Sequence, residues 1–492
     1  MQAEQSCQDE GPRTMLFNSF EFIIFLPAVF CLYWFLSKGR LSLQNLIIVV
    51  SSYVFYAWLD ARFLGLIMLT SLSAWLTALY VDASGGKRTG RWWVSLANIV
   101  LNIGILCVFK YLDFFGENFA RLFQLLGFEY TWVTRNLMLP IGISFYTFTA
   151  LSYSLDVYMG KLKAERNPLT VFSYVAFFPQ LLAGPIARAT QLMPQFRGVR
   201  VFDYASAVEG MRQILWGLFK KVAIADNISA IVAGVFDNYQ EYSASTLLLG
   251  AFYFTIQIYC DFSGYSDMAT GLARLFGIRL LPNFSTPYFS RNVAEFWRRW
   301  HISFNMWFRD YIYIPLGGSR VSRPVTIRNT MIVFIICGLW HGASWTFIVW
   351  SIYHGLLCSF LILTGGNKRY KGVICENSTF PSLREVAGVI MTFLAVVFGR
   401  IISRSETLSQ GVGYLCGIFD ASVFSIPDFI DIKVLLLTIF MFVVEWLGRK
   451  HEFAFNVGAI RPAWVRRGIY LSVLLLIFLF GRTSENFIYF NF

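Results

Sequence analysis

Residues Asn329–Trp350 read NTMIVFIICGLWHGASWTFIVW, an apolar run interrupted by Trp340-His341-Gly342 and then resumed. An ionisable ring at membrane depth is expensive, so it needs a functional or pairing reason to be there. Basic Arg320, Arg323 and Arg328 put the start of the run at a membrane face. From Asn329 to His341 a helix rises about 18 Å, roughly to the middle of a hydrocarbon core about 30 Å thick. Gly338 and Gly342 flank the ring and are expected to break or kink the helix there. A histidine that only hydrogen-bonds between helices fits the same pattern. The chain holds 4 histidines; His301, His341 and His354 fall close together, and His451 sits in a basic loop.

The rest of the chain suits the same solvent. Of 492 residues 56% are hydrophobic, only 14% are charged and 50 are phenylalanine, with a mean hydropathy of +0.56, far from soluble averages. Uncharged apolar runs recur at Phe22–Leu36, Phe63–Val81, Trp92–Phe109, Val386–Gly399 and Val434–Val444. The expected fold is an all-α polytopic membrane protein with roughly 10–12 membrane-embedded helices, since a full span takes about 20 residues. Several runs fall short of that length, which predicts re-entrant and interfacial helices in place of a plain bundle. The formal charge of +12 sits on Lys and Arg in short loops, where it orients a membrane protein, so no nucleic-acid partner is indicated. The 8 cysteines contain no CxxC pair; neither a disulfide framework nor a metal site is expected.

Lys38 and Arg40, then Lys87, Arg88 and Arg91, mark cytoplasmic loops, as do Lys368, Arg369 and Lys371 and the basic cluster from Arg449 to Arg467. The acidic stretch Ser403–Asp431 then lies outside, and so do both termini, in the periplasm of a bacterial inner membrane. Residues 1–14 read as a polar extension without signal-peptide character, with Met15 as a natural start. Residues 15–480 form one membrane domain and 481–492 a periplasmic tail. Pro, Gly and charge punctuate Pro140–Gly142, Pro179–Pro185, Asp261–Asp267 and Pro315–Gly318. Irregular backbone survives at membrane depth only against protein or a watery cavity, which places the site within about 130–360.

Two clusters accompany His341. In Asn292–Tyr313, Asn292 and Glu295 resemble a capping box that opens one interfacial helix, on which Arg298, His301, Asn305 and Arg309 form a single stripe. Such a stripe suits a cytoplasmic mouth with Arg298, Arg299 or Arg309 on phosphates, and equally suits arginines bound to lipid headgroups. In Cys260–Asp267 (CDFSGYSD), Asp261 and Asp267 need partners in a hydrophobic setting, either arginines such as Arg298 and Arg299 or the donors of a broken helix. Structural ion pairing is the expected role, with acid–base work the alternative.

Jointly, LPIGISFY (Leu139–Tyr146), FPQLLAGP (Phe178–Pro185), DFSGYSDMATG (Asp261–Gly271), NVAEFWRRWHISFNMWFRDYIYIPLGG (Asn292–Gly318) and GLWHGASWTFIVW (Gly338–Trp350) resemble the membrane-bound O-acyltransferase family. The narrower likeness is to its bacterial branch that O-acetylates extracytoplasmic polysaccharides, from Met15 to the C-terminus. The resemblance implies a ring of helices around a thin waist crossed by a central tunnel, with His341 as the catalytic histidine and His301 as the second functional one. Trp340, Asn305 and His354 are expected along that tunnel. It also implies acetyl-CoA as donor and a periplasmic SGNH-type esterase as partner. The ending FIYFNF (Phe487–Phe492) resembles an acyl-relay motif of this branch, whose tyrosine would be Tyr489; an aromatic tail anchored at the headgroups is the alternative.

A neutral imidazole can take the proton of an attacking hydroxyl as it reaches a thioester carbonyl, and protonation of the leaving thiolate completes the exchange. The expected function is therefore transfer of acetyl from cytoplasmic acetyl-CoA to an alginate-like exopolysaccharide or peptidoglycan. D-alanyl transfer to teichoic acid lies within the same resemblance. A transporter or flippase with broken helices and no covalent chemistry is the competing class, and a noncatalytic scaffold is the third.

Overall fold

A computed structural model describes residues 15–85, 88–376, 378, 380–482 and 487–488. The polar extension 1–14, Lys87, the side chain of Arg88 and Tyr489 lie outside the described residues. Among the described residues every regular element is helical. Six stretches of the described residues are long and apolar enough to cross a membrane: Leu41–Ala83, Thr89–Leu125, Arg323–His341, Trp345–Thr364, Leu383–Arg404 and Ala463–Phe480, with a shorter one at Phe20–Leu36. The first is two helices, Leu41–Asp60 and Leu64–Ala83, joined by a 3-10 turn in which the Asp60 carboxylate accepts from Arg62 N at 3.0 Å.

The helix that organises the interior is not among these six. Ala244–Leu275 has 32 residues and so extends about 48 Å, and it is buried along most of its length although it carries Asp261, Asp267 and Arg274. Protein surrounds it in place of lipid, which is how the charges are tolerated. The Tyr204–Leu218 helix runs antiparallel against it at two glycine crossings. A Cβ on Gly210 would stand 2.6 Å from Gly271 O, and one on Gly264 would stand 2.7 Å from Gly217 O. Small residues let the two backbones touch and maximise their dispersion contact. Asp261–Asp267, expected as irregular backbone, is therefore continuous helix whose glycine serves close packing.

Elsewhere the backbone is irregular as the composition predicts. Gly142 precedes the Ile143–Tyr158 helix at φ +75°, where a Cβ would come within 2.6 Å of Leu181 O. Gly317 and Gly318 also take positive φ. Tyr204–Leu218 widens at its end into a π turn, Phe219–Ala225, which presents two lysines to the buried helix. Lys220 pairs with Asp267 at 2.6 Å, and Lys221 pairs with Asp261 at 2.8 Å and Asp226 at 2.7 Å. Both aspartates are thus ion-paired, but to lysines of the π turn and not to Arg298 or Arg299.

Two aromatic cores flank this framework. One gathers Phe55, Tyr146, Phe178, Phe262, Phe304 and Trp340; the other gathers Trp216, Tyr259, Trp297, Trp300 and Trp350. Ala244–Leu275 contributes to both, and so does segment 293–313, whose backbone changes direction at Trp300 and His301. His341 lies between Trp340 of the first core and Trp350 of the second.

Candidate active site

His341 is the last residue of the Arg323–His341 helix, and Gly342 leaves it in extended backbone. Gly338 does not kink the helix. A Cβ there would collide with Ser351 Oγ and stand 2.7 Å from Phe347 O, so the glycine lets the Trp345–Thr364 helix close against this one. A helix end leaves its last carbonyls without intrahelical partners. Two side chains of the Arg88–Leu125 helix take them: Lys110 Nζ donates to Trp340 O at 2.5 Å and His341 O at 3.2 Å, and the Tyr111 hydroxyl donates to Leu339 O at 2.7 Å. The ammonium also complements the negative end of the helix dipole.

The His341 ring is 7% exposed. It stands edge-on to Trp340 and Trp350, with ring centroids 4.9 and 5.2 Å away, and 5.8 Å from Phe304. His301 stacks on the same Phe304 at 4.7 Å, makes a T-shaped contact with Phe262 at 4.6 Å and lies 6.0 Å from Trp340. The two imidazoles therefore share the Phe304–Trp340 pair as common wall. His354 touches Trp350 at 5.5 Å and Trp297 at 5.2 Å, which links it to His341 through one indole. Arg400 lies over Trp300 at 4.6 Å and Trp350 at 5.3 Å.

Segment 292–313 departs from the single expected helix. It forms two short helices, Val293–Arg299 and Ile302–Phe308, and then a π turn, Arg309–Tyr313. Between the helices His301 is left-handed at φ 46°, ψ 53°, a conformation that costs a non-glycine residue about 1–3 kcal/mol. Asn305 offsets that cost by donating from Nδ2 to Trp297 O at 2.6 Å and Trp300 O at 2.7 Å, carbonyls that the break would otherwise orphan. Asn292 caps Glu295 N at 2.8 Å as expected, but the Glu295 carboxylate turns to Arg291 and Arg299 and does not close a reciprocal box. The break buries His301 while Arg298 and Arg309 stay exposed, so the four stripe residues do not share one face.

Two cavities approach His341. A mainly apolar one of about 310 Å³ lies among segment 293–313 and the Arg323–His341 and Trp345–Thr364 helices; Arg298, Asn305 and Arg309 line it, and it reaches Phe304 and Cys337. Arg299 does not line it, being held by Glu295 and Gly372 O. The other, about 40 Å³, is lined by His341 itself with Trp340, Lys110, Leu182 and the loop Leu139–Phe145. The cavities share no lining residue, and Phe304, Trp340 and His341 stand between them. Among the described residues no group of three side chains could hold a metal ion.

The C-terminal segment also reaches this region. Asp261 Oδ2 accepts from Ile488 N at 2.8 Å, and Phe487, 1% exposed, packs 5.0 Å from Tyr265 and 6.1 Å from Phe262. Phe262 also meets His301 in a T-shaped contact, so the tail enters the core one aromatic contact from that histidine. Lys110, Tyr111, Lys220, Lys221 and Arg400 were not singled out from sequence. For Lys110 and Arg400 a signal was available, since lone cations within long apolar helices mark pairing or function by default.

Residues 23–365 match the model of the membrane-bound O-acyltransferase family. The chain belongs to that family. As a membrane-bound O-acyltransferase it holds His301, His341 and His354 inside the matched region, together with the smaller cavity and every lining residue of the larger one except Asn367. It is 37% identical over 416 residues to a probable alginate O-acetylase of Azotobacter vinelandii, covering 84% of this chain and 80% of that one. It is 37% identical over 375 residues to a peptidoglycan O-acetyltransferase of Helicobacter pylori, 70% of each chain. A teichoic acid D-alanyltransferase of Bacillus subtilis is 27% identical over 278 residues, 54% of this chain and 69% of that one. Membership makes this acyltransferase an enzyme that works with an acyl donor, in place of the transporter or scaffold.

Proposed function

We propose that this acyltransferase takes acetyl from cytoplasmic acetyl-CoA and delivers it across the bacterial inner membrane, through a periplasmic SGNH-type partner, for O-acetylation of a polysaccharide. The observation that carries this is the place of His341 between a roomy apolar cavity bordered by Arg298 and Arg309 and a narrow one bordered by Lys110 and Leu139–Phe145. The two cavities are the halves of one tunnel, parted by Phe304 and Trp340. Arg298 and Arg309 meet the donor's phosphates through charge-assisted bonds, the apolar lining takes the thioester arm, and Arg299 acts through Glu295 to hold the mouth in shape.

A hydroxyl oxygen attacks the thioester carbonyl carbon while a ring nitrogen of His341 accepts its proton. The tetrahedral intermediate collapses, the carbon–sulfur bond breaks, and the departing thiolate takes that proton from the imidazolium, so an ester and a free thiol result. His301 packs the wall that both rings share and orients the incoming oxygen. The hydroxyl belongs to Tyr489 and then to the partner; docking of Phe487 and Ile488 beside Asp261 supports a tail that reaches the tunnel from the periplasmic side. Asp261 and Asp267 serve docking and helix pairing in this scheme, and both termini are periplasmic by loop charge.

The acceptor is an alginate-like exopolysaccharide or peptidoglycan. Relatives named for each stand at the same 37% identity, and the D-alanyltransferase stands further off at 27%. The test is transfer of labelled acetyl from acetyl-CoA in membrane vesicles supplied with the partner. His341→Ala should lose about 100-fold or more while eluting as a folded protein, and Tyr489→Phe should lose product while keeping the ring. Full transfer by folded His341→Ala refutes the proposal, and full transfer by Tyr489→Phe removes the relay.

A further inference from the structure

Apart from the residues around His341, a groove of about 870 Å³ opens among the Phe20–Cys31, Tyr204–Leu218 and Ala463–Phe480 helices. Leu26, Phe30, Leu215 and Leu474 give it an apolar lining; Arg212, Arg466 and Arg467 also line it, and among the described residues no acidic one does. Two of the arginines are pre-positioned. Arg212 Nε donates to the Tyr470 hydroxyl at 2.6 Å, and Arg466 Nη1 donates to Ile460 O at 2.6 Å and Arg461 O at 2.9 Å. Arg467, next to them in the first turns of the last helix, is exposed.

The Ala463–Phe480 helix is apolar enough to span a membrane, yet only 6% of its apolar window is buried inside the protein. One wall of the groove is therefore a lipid-facing helix. Along it the chemistry changes with depth: Leu474 follows Arg466 by two turns, about 12 Å further into the hydrocarbon. The excess of basic residues from Arg449 to Arg467 puts the charged end at the cytoplasmic face, the leaflet where anionic lipids are concentrated, and basic pockets between membrane helices suit their headgroups.

We propose that this groove is a binding site for one anionic phospholipid of the cytoplasmic leaflet. Arg212 and Arg467 hold its phosphodiester, and its acyl chains lie over Leu26, Phe30, Leu215 and Leu474. A zwitterionic lipid would bring an ammonium against three guanidinium groups with no carboxylate to receive it. The bound lipid fills the gap between the last helix and the first, and so tightens the packing of a helix that the protein itself barely covers.

The experiment titrates delipidated full-length protein in detergent with phosphatidylglycerol, phosphatidylcholine or inorganic phosphate, and follows native mass spectra and thermal unfolding. Phosphatidylglycerol should give a single adduct with at least fivefold higher occupancy than phosphatidylcholine and should raise the melting temperature, and phosphate should do neither. Arg467→Gln, at an exposed position, should lower that occupancy at least fivefold. Val208→Trp should block the adduct by filling the groove with every arginine intact. Equal occupancy by the two lipids, the same stabilisation by phosphate, or an undiminished adduct in either variant overturns the site.

Discussion

Replacing Lys110 with methionine isolates what holds the backbone of His341. The substitution keeps the length and apolar volume of the side chain and removes the two hydrogen bonds to Trp340 O and His341 O, at 2.5 and 3.2 Å. Hydrogen bonds from a charged group contribute about 1.5–3 kcal/mol net. Against this stands the desolvation of a half-buried ammonium, which methionine relieves. The two effects oppose one another in overall stability, so the melting temperature should change little. They do not oppose one another in catalysis, because the carbonyls lose the groups that set the direction of the helix end whether or not an ammonium was expensive to bury. A loss of about 2–3 kcal/mol in holding the productive position of His341 corresponds to roughly 30- to 150-fold in kcat. KM for the donor should stay within about threefold of the original, since Lys110 does not line the larger cavity. Tyr111→Phe removes one neutral hydrogen bond at 2.7 Å, worth about 1 kcal/mol, and should cost roughly fivefold. Acetyl-transfer kinetics in vesicles separate these outcomes. Folded Lys110→Met with kcat within threefold of the unaltered enzyme would refute the positioning of His341 by this lysine.

Three other outcomes follow from the geometry. Lys221→Met leaves Asp226 and Asp261 facing one another without the cation that holds both, a loss of about 3–5 kcal/mol that should abolish accumulation in the membrane; Asp261→Asn leaves the Lys221–Asp226 pair at 2.7 Å and should accumulate, and the opposite order in immunoblots would contradict the pairing. Gly264→Val puts side-chain atoms against Gly217 O, whose distance from even a Cβ would be 2.7 Å; it should destabilise by about 1–3 kcal/mol or more, seen as a lower melting temperature, whereas a value unchanged from the parent would dispose of the glycine crossing. On the exposed loop after Ile418, hydrogen bonds from Ser243 N, the Thr246 hydroxyl and the Ser243 hydroxyl hold the Asp428 carboxyl below its usual range. A depressed folded pKa stabilises above about pH 4, the unfolded carboxyl's range, and that contribution disappears as pH falls through the folded value; Asp428→Asn should therefore lower the melting temperature at neutral pH and converge with the parent below about pH 4, and a difference that persists unchanged into acid would contradict the carboxylate's role.

The parts of the site that were legible in the sequence are those governed by neighbours along the chain. An imidazole ending an apolar run reads as a membrane-embedded group whatever packs around it, and five motif stretches, two of them rich in Trp and carrying a His, are recognisable as strings. The position of Gly338 was legible too, but not its role, because a glycine that breaks a helix and one that admits a second helix look the same until the second helix is in place. The same ambiguity turned Asp261–Asp267 from an expected irregular stretch into continuous helix. The stripe of Arg298, His301, Asn305 and Arg309 failed for a different reason: a left-handed residue at His301, sustained by Asn305 reaching back to two carbonyls, rotates everything after it.

Composition and local pattern were enough to make this a helical membrane protein, to single out His341 and to name its family, because the solvent preference of a segment is a sum over its own side chains. Which charges meet was decided only by the folded arrangement. Lys110 reaches carbonyls 230 residues away in sequence, and Asp261 receives an amide 227 residues on. Such contacts are written in no local pattern; they exist because a buried carbonyl or carboxylate must find a donor, and only the assembled helices determine which donor is within reach.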